Sequence, residues 1–222
     1  MVVSLAALWA LFAFQVPVAP CQTQTGVPCF TLTYEHSVWA LVQSPVRDLV
    51  TAEVTGTMAV RADGSFLHRT QPTSRFAVRG SRDPAPPNTR LYLATNQQLI
   101  VHGPPSDISD FRLPALFFLG GVHRRSPSSA DSCRSVLTGL GQNFELTGKS
   151  NLLSEPVVNW KFKTPYGEAV VSVAPALDCQ VLRMEASEYR YRHLPIRKEL
   201  FEAKTLHRGE PAAALFVPPK GK

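Results

Sequence analysis

The chain is predicted to be mostly β, one twisted and partly closed antiparallel sheet with one or two short helices. Three observations carry this expectation. The 19 prolines and 13 glycines fall between short runs, which leaves few segments long enough for a helix. Asp63-Gly64 separates two alternating runs, Val54 to Arg61 and Ser65 to Thr70, and Asp-Gly favours a hairpin because both residues tolerate positive φ. Trp160 and Phe162 alternate with Lys161 and Lys163, the period of a strand buried on one face.

Taken in order, the first twenty residues hold no charged side chain. The apolar run Val2 to Phe14, about 13 residues, has the length of a signal-peptide core and is short for a bilayer span. We expect residues 1–19 to be a signal peptide or N-terminal anchor, and residues 20–222 to be a single antiparallel β domain. Pro20 directly before Cys21 departs from a lipidation signal, which leaves ordinary cleavage near Ala19 as the plainer reading. The formal charge of +6, from 23 Lys and Arg against 17 Asp and Glu, is dispersed. Its densest stretch, Arg61 to Arg82, lacks any nucleic-acid motif, so no nucleic-acid partner is expected.

Cys21, Cys29, Cys133 and Cys179 make an even count without a C-x-x-C pair. In an exported protein this favours disulfides over zinc or thioredoxin chemistry, and four cysteines allow three pairings. Cys133 and Cys179 each stand at the entry to a structured element. Their bridge would close a loop worth roughly 4 kcal/mol in the chain-entropy model. We expect that pair, with Cys179 stapling the loop at residue 133 to a strand. No His or Lys beside Cys179 supports a reactive thiol.

Beyond the first hairpin, "RFAVRG" is expected to add a strand and the proline-rich stretch 82–89 a loop. "TRLYLATNQQLIVHG" reads as a second hairpin with its tip near Asn96-Gln97. "QNFELTGKSNLL", "VVNWKFKTPYGEAVVSVAP" and "CQVLRMEASEYRYR" continue the series, with Tyr189 and Tyr191 expected inward. Two segments compete for helix. Residues 106–121 carry capping residues but are broken by Pro114. Residues 195–208 have Pro195 suited to a first helical position and Gly209 to the position after the end. There Phe201, Ala203 and Thr205 also alternate.

The six histidines lack metal-binding spacing, and no nucleophile elbow, P-loop or dinucleotide fingerprint occurs. A metal drawn from His68 and His102, and a hydrolase built on Asp107/Asp110 or Glu185/Glu188, have no pattern behind them. We expect no catalytic residues, no metal and no cofactor. The apolar segment 113–122, "LPALFFLGGV", is either a core plug or a movable lid over a concave sheet. Binding sites are concave and mostly apolar, so Leu116, Phe117, Phe118 and Trp160 are the candidate ligand-binding residues.

Two motifs carry a resemblance. Ala174, Pro175, Leu177, Asp178 and Cys179 fit an AP-x-LDC pattern. Gly209, Glu210, Pro211, Leu215, Phe216 and Pro218 fit a GEP-x-x-x-LF-x-x-P ending. Together they resemble a family of uncharacterised exported bacterial proteins, similar in layout to the LolA/LolB-like group. The resemblance implies a curved antiparallel sheet or half-barrel, favours strand for residues 195–208, and implies a periplasmic or extracellular, cell-envelope location. It further implies a non-catalytic protein binding or carrying a lipid or acyl chain, with lipid or lipoprotein as partner. Membrane association would come through an uncleaved leader or envelope contact. No ligand-contacting residue transfers position by position. The alternative is an envelope scaffold or interaction module whose β core is filled by its own side chains.

Overall fold

Alternation of apolar and polar residues, interrupted by Gly, Pro and Asp, produces strands and tight turns wherever the chain is described. The computed structural model describes residues 21–22, 26, 28–40, 49–72, 88–102, 133, 144–164, 167–190 and 194–218. The strands are β1 (Phe30–Ala40), β2 (Leu49–Val60), β3 (Phe66–Pro72), β4 (Asn88–Leu93), β5 (Gln98–His102), β6 (Phe144–Leu152), β7 (Glu155–Thr164), β8 (Gly167–Ala174), β9 (Gln180–Arg190) and β10 (Leu194–Arg208). All pair antiparallel in one open sheet, ordered β5-β4-β3-β2-β1-β10-β9-β8-β7-β6. Two meanders thus meet at the β1–β10 pair, and β5 and β6 form the edges. Register shifts at Thr33/Tyr34, Val38/Trp39, Leu146/Gly148, Ser172/Val173 and Pro195/Arg197 are bulges that bend and twist the sheet.

The hairpins follow their turn chemistry. Gly64 takes φ +85 and the Arg61 N–H bonds to the Ser65 carbonyl at 2.9 Å, closing the predicted Asp-Gly hairpin. Gln97 takes φ 53 at the tip between β4 and β5. Residues 194–208 are strand throughout, hydrogen-bonded to β1 on one side and β9 on the other. Pairing on both sides overrides the local helix signals, and Pro195 sits beside the bulge, where a missing donor costs little. Tyr189 corrects the expected inward orientation. Parity runs inward through Met184 and Ala186, so Tyr189 lies on the opposite face, where its hydroxyl donates to Glu168 Oε1 at 3.5 Å. The expected leader at 1–19, the strand at 75–80 and segment 106–121 lie outside the described residues.

One face carries the main core. Phe30, Leu32, Tyr34 and Phe201 join Val158, Trp160, Phe162, Val171 and Met184 in a single buried cluster. Cys133 and Cys179 belong to it, and their bridge spans 46 residues with a Cα–Cα distance of 5.4 Å. The AP-x-LDC motif explains how Cys179 gets there. Pro175–Leu177 forms a 3-10 turn, then Asp178 and Cys179 take φ 55 and 60, left-handed values that reverse the chain into β9. Asp tolerates that region and Cys does so rarely, so the surrounding packing holds it. The disulfide therefore fastens the β5–β6 connection to the β8–β9 turn.

The opposite face holds a smaller cluster of Ala59, Leu67, Leu91 and Phe216, flanked by Leu93, Ile100 and Leu215. Phe216 comes from the 3-10 turn Ala213–Phe216, so the GEP-x-x-x-LF ending is a clasp. Gly209, at φ +122, donates to the Cys29 carbonyl at 3.0 Å. Glu210 accepts from Arg61 Nε at 2.7 Å and the Ala62 N–H at 3.0 Å, while the Arg61 guanidinium lies 5.4 Å from the Phe216 ring centre. A second disulfide, Cys21–Cys29, ties the N-terminal stretch to the same corner.

Loop length separates the two bridges. Replacing Cys133 and Cys179 together by Ala is expected to cost roughly 4 kcal/mol in urea denaturation, against about 2–3 kcal/mol for Cys21 with Cys29, whose loop is shorter. Equal small losses would show that the 46-residue closure contributes nothing.

Candidate ligand-binding face

Strand register places side chains in rows across the core face. Leu32, Met58, His68, Arg90 and Val101 form one row, and Phe30, Val60, Phe66, Tyr92 and Leu99 its neighbour. Burial falls steeply along both. Leu32 and Phe30 are sealed, Phe66, His68, Arg90 and Tyr92 are half-buried, and Leu99 and Val101 are each 58% exposed. The Phe66 and Tyr92 rings stack with centroids 5.6 Å apart. At the other edge Leu146, opposite Trp160 in register, is 51% exposed. The core face is therefore closed in the middle of the sheet and leaves an apolar wall over β3–β5.

A polar bridge marks where core becomes wall. Gly56 faces Tyr34 across the β1–β2 pair, and the Tyr34 ring lies flat over it to reach β3, where its hydroxyl meets His68 Nε2 at 2.7 Å. A Cβ on Gly56 would stand 2.0 Å from Tyr34 Cζ, so glycine is required for this crossing. Burial pushes the Tyr34 hydroxyl well above its ordinary pKa. Burial first, and then the Arg90 charge, lower His68 to about 4. The pair is thus neutral at physiological pH, and Tyr34 is a weaker acid than an ordinary phenol. His36 is committed to a hydrogen bond with Glu199 at 2.8 Å, both buried. These geometries describe structural polar contacts in a β core.

Of the sequence candidates, Trp160 is in the core, 4% exposed, and its Nε1 is a buried donor with no acceptor among the described residues. Leu116, Phe117 and Phe118 lie outside the described residues. His68 and His102 are separated by β4 and do not lie on neighbouring strands. The Cys21 and Cys29 sulfurs and a Glu210 oxygen fall within 4.8 Å of one another, but both sulfurs are bound in the disulfide and offer no thiolate to a metal. A cavity of about 60 Å³ lies among Phe162, Ala169, Ala186, Arg197 and Glu199, room for roughly two waters by liquid volume. Sequence reasoning missed Arg90, Tyr92, Leu99 and Val101. The signal was present: "RLYL" and "QLIV" put large side chains on both faces of a hairpin, and only one face has the Phe216 clasp to cover it.

Gly56→Ala is expected to expel the Tyr34 ring and cost about 1–3 kcal/mol in denaturant unfolding, with loss of the Tyr34–His68 hydrogen bond by NMR; unchanged stability would contradict this packing. For His68, the unfolded imidazole titrates near 6.5 and the folded one at about 4. Between those values the unfolded state binds more protons, so stability falls as pH drops from 6.5 to 4 and levels below. The loss should be about 2–3 kcal/mol, and His68→Gln should flatten that part of the profile. A profile unaltered by His68→Gln would be incompatible with the depressed pKa.

No family model matches the chain and no curated sequence matches it. Among solved structures, MucB aligns at 13% identity over 90% of this chain and 59% of its own, with a TM-score of 0.46. The MucA/MucB complex of Pseudomonas aeruginosa aligns at 12% over 86% and 56%, TM-score 0.45. The Mycobacterium tuberculosis lipoprotein LppX aligns at 12% over 82% and 87%, TM-score 0.37. The chain thus spans less than two thirds of the MucB chains it aligns with. At these scores the likeness bears on neither ligand nor activity.

Proposed function

We propose that this chain is a non-catalytic cell-envelope protein that binds or carries a lipid or acyl chain on the core face of β3–β5. One observation carries the reading: among the described residues a continuous apolar wall, Phe66, Tyr92, Leu99 and Val101, is left open on the same face that is sealed at mid-sheet. Folded chains rarely expose such a wall without a partner for it. The two disulfides support an oxidising compartment, in keeping with a leader at residues 1–19. Trp160 adds a buried N–H without an acceptor among the described residues, a group that a ligand oxygen would satisfy. Segment 113–122, with Leu116, Phe117 and Phe118, is proposed as the lid over the wall.

A second reading has its own support. The main cluster is filled by the sheet's own side chains, with Leu32, Trp160, Val171, Met184 and Phe201 all buried in it, as in a scaffold with a self-filled core. The two readings differ in where an acyl chain would lie: on an open wall it needs no closed cavity, and a scaffold binds none.

Native mass spectrometry of freshly purified protein is expected to show an adduct that lipid extraction removes. Phe117→Ala and Phe118→Ala should leave the melting temperature nearly unchanged while reducing uptake of a fluorescent fatty-acid probe. A core plug would instead lose roughly 3–5 kcal/mol on truncation of the buried ring. Trp160→Phe removes the orphan donor together with part of the buried indole. It should cost the free protein about 1–3 kcal/mol from the cavity left behind and weaken the probe. Large destabilisation by the Phe variants, with no binding by the parent, would establish the scaffold reading.

A further inference from the structure

We infer that the ligand on the β3–β5 wall carries an anionic head, a carboxylate or phosphate oxygen, seated on Arg90. The inference rests on the acyl-chain reading above and adds the head group to it. Arg90 stands in the middle of the wall, paired with His68 on β3 and Val101 on β5, with Tyr92 as its neighbour on the same face. It is half-buried. Among the described residues it forms no ion pair, whereas Arg61, Arg183, Arg197 and Arg208 each lie within 3.6 Å of a carboxylate.

Its own strand and the two beside it offer no acid: no Asp or Glu occurs anywhere in β3, β4 or β5. A guanidinium partly withdrawn from water beside His68, Tyr92 and Val101 bears a desolvation cost that a counter-charge would offset. Its electrostatic influence on the site is already visible, because its charge contributes to the depressed pKa of His68. The planar fork of Arg matches carboxylate and phosphate oxygens with paired hydrogen bonds. With the head on Arg90, an acyl chain has the stacked Phe66 and Tyr92 rings and the exposed Leu99 along which to lie. Charge complementarity and the apolar wall thus select an amphipathic anion over a neutral lipid.

Myristate, myristoyl lysophosphatidylglycerol and neutral monomyristin, each below its micellar concentration at pH 8, are titrated calorimetrically into the full chain. Both anions are expected to bind about tenfold more tightly than monomyristin, the scale of one charge-assisted contact. Their order distinguishes a carboxylate head from a phosphate one. Arg90→Gln should reduce both to the level of monomyristin, and Arg90→Lys should keep part of the preference. An anion on Arg90 also favours the imidazolium, so the His68 pKa followed by NMR should rise when lysophosphatidylglycerol is bound. Equal affinities for all three ligands, with Arg90→Gln silent, would overturn the head-group inference and leave the acyl-chain reading standing. Binding of none of them by the parent protein would overturn the acyl-chain reading itself.

Discussion

The pairing of β1 with β10 is the constraint on which the rest of the sheet depends. It joins two five-stranded meanders, one from each half of the chain, and its partners are far apart in sequence: Phe30 faces Arg208 and Ala40 faces Arg197. The contacts along this seam are specific. Thr33 and Thr205 share a hydroxyl hydrogen bond at 2.6 Å, the Tyr34 and Phe201 rings lie 4.7 Å apart, and His36 pairs with Glu199. A buried hydrogen-bonded pair of this kind does more for register than for stability, since a mispaired seam would leave two buried polar groups without partners. Closing so long a loop before any reward is collected also makes this a slow-folding topology.

That seam decides where the edges fall. With β1 and β10 in the centre, β5 and β6 are the outermost strands, and the chain between them must pass from one edge to the other. The Cys133–Cys179 bridge fixes one point of that passage inside the main cluster. The same arrangement leaves the core face uneven, deeply buried around Phe201 and open at Leu99 and Val101. On the reverse face of β2–β5 the C-terminal clasp supplies the missing layer through Phe216. Among the described residues one face of β3–β5 is clasped and the other open, and this asymmetry of cover is what turns a structural sheet into a candidate binding surface.

Much of this was legible in the sequence because it depends on short-range chemistry. Asp63-Gly64 specified its hairpin, the Trp160/Lys161/Phe162/Lys163 alternation specified its faces, the even cysteine count favoured disulfides, and the place of Cys133 and Cys179 at the entries to structured elements pointed to the longer one. What local pattern left open was decided by tertiary pairing: residues 195–208 became a strand because two partners claim them, and Tyr189 turned outward because the parity of β9 is set by Met184 and Ala186. Arg90 was hidden for a related reason. Its significance comes from the absence of acids on two neighbouring strands, one of them reached only through the register of β4 with β5. Gly56 likewise looks like an ordinary strand-weakening glycine until Tyr34 is seen lying across it.

The account stands or falls on the wall of β3–β5 holding an acyl chain. Stearate spin-labelled near its methyl end, added to protein with isotopically labelled methyl groups and aromatic rings, reports where the chain lies through paramagnetic broadening. The account predicts strongest broadening of Leu99, Val101 and Tyr92, with Leu67 and Leu91 on the clasped face broadened less. Strongest broadening of Leu67 and Leu91 instead, or none at concentrations where binding is saturated, would contradict it.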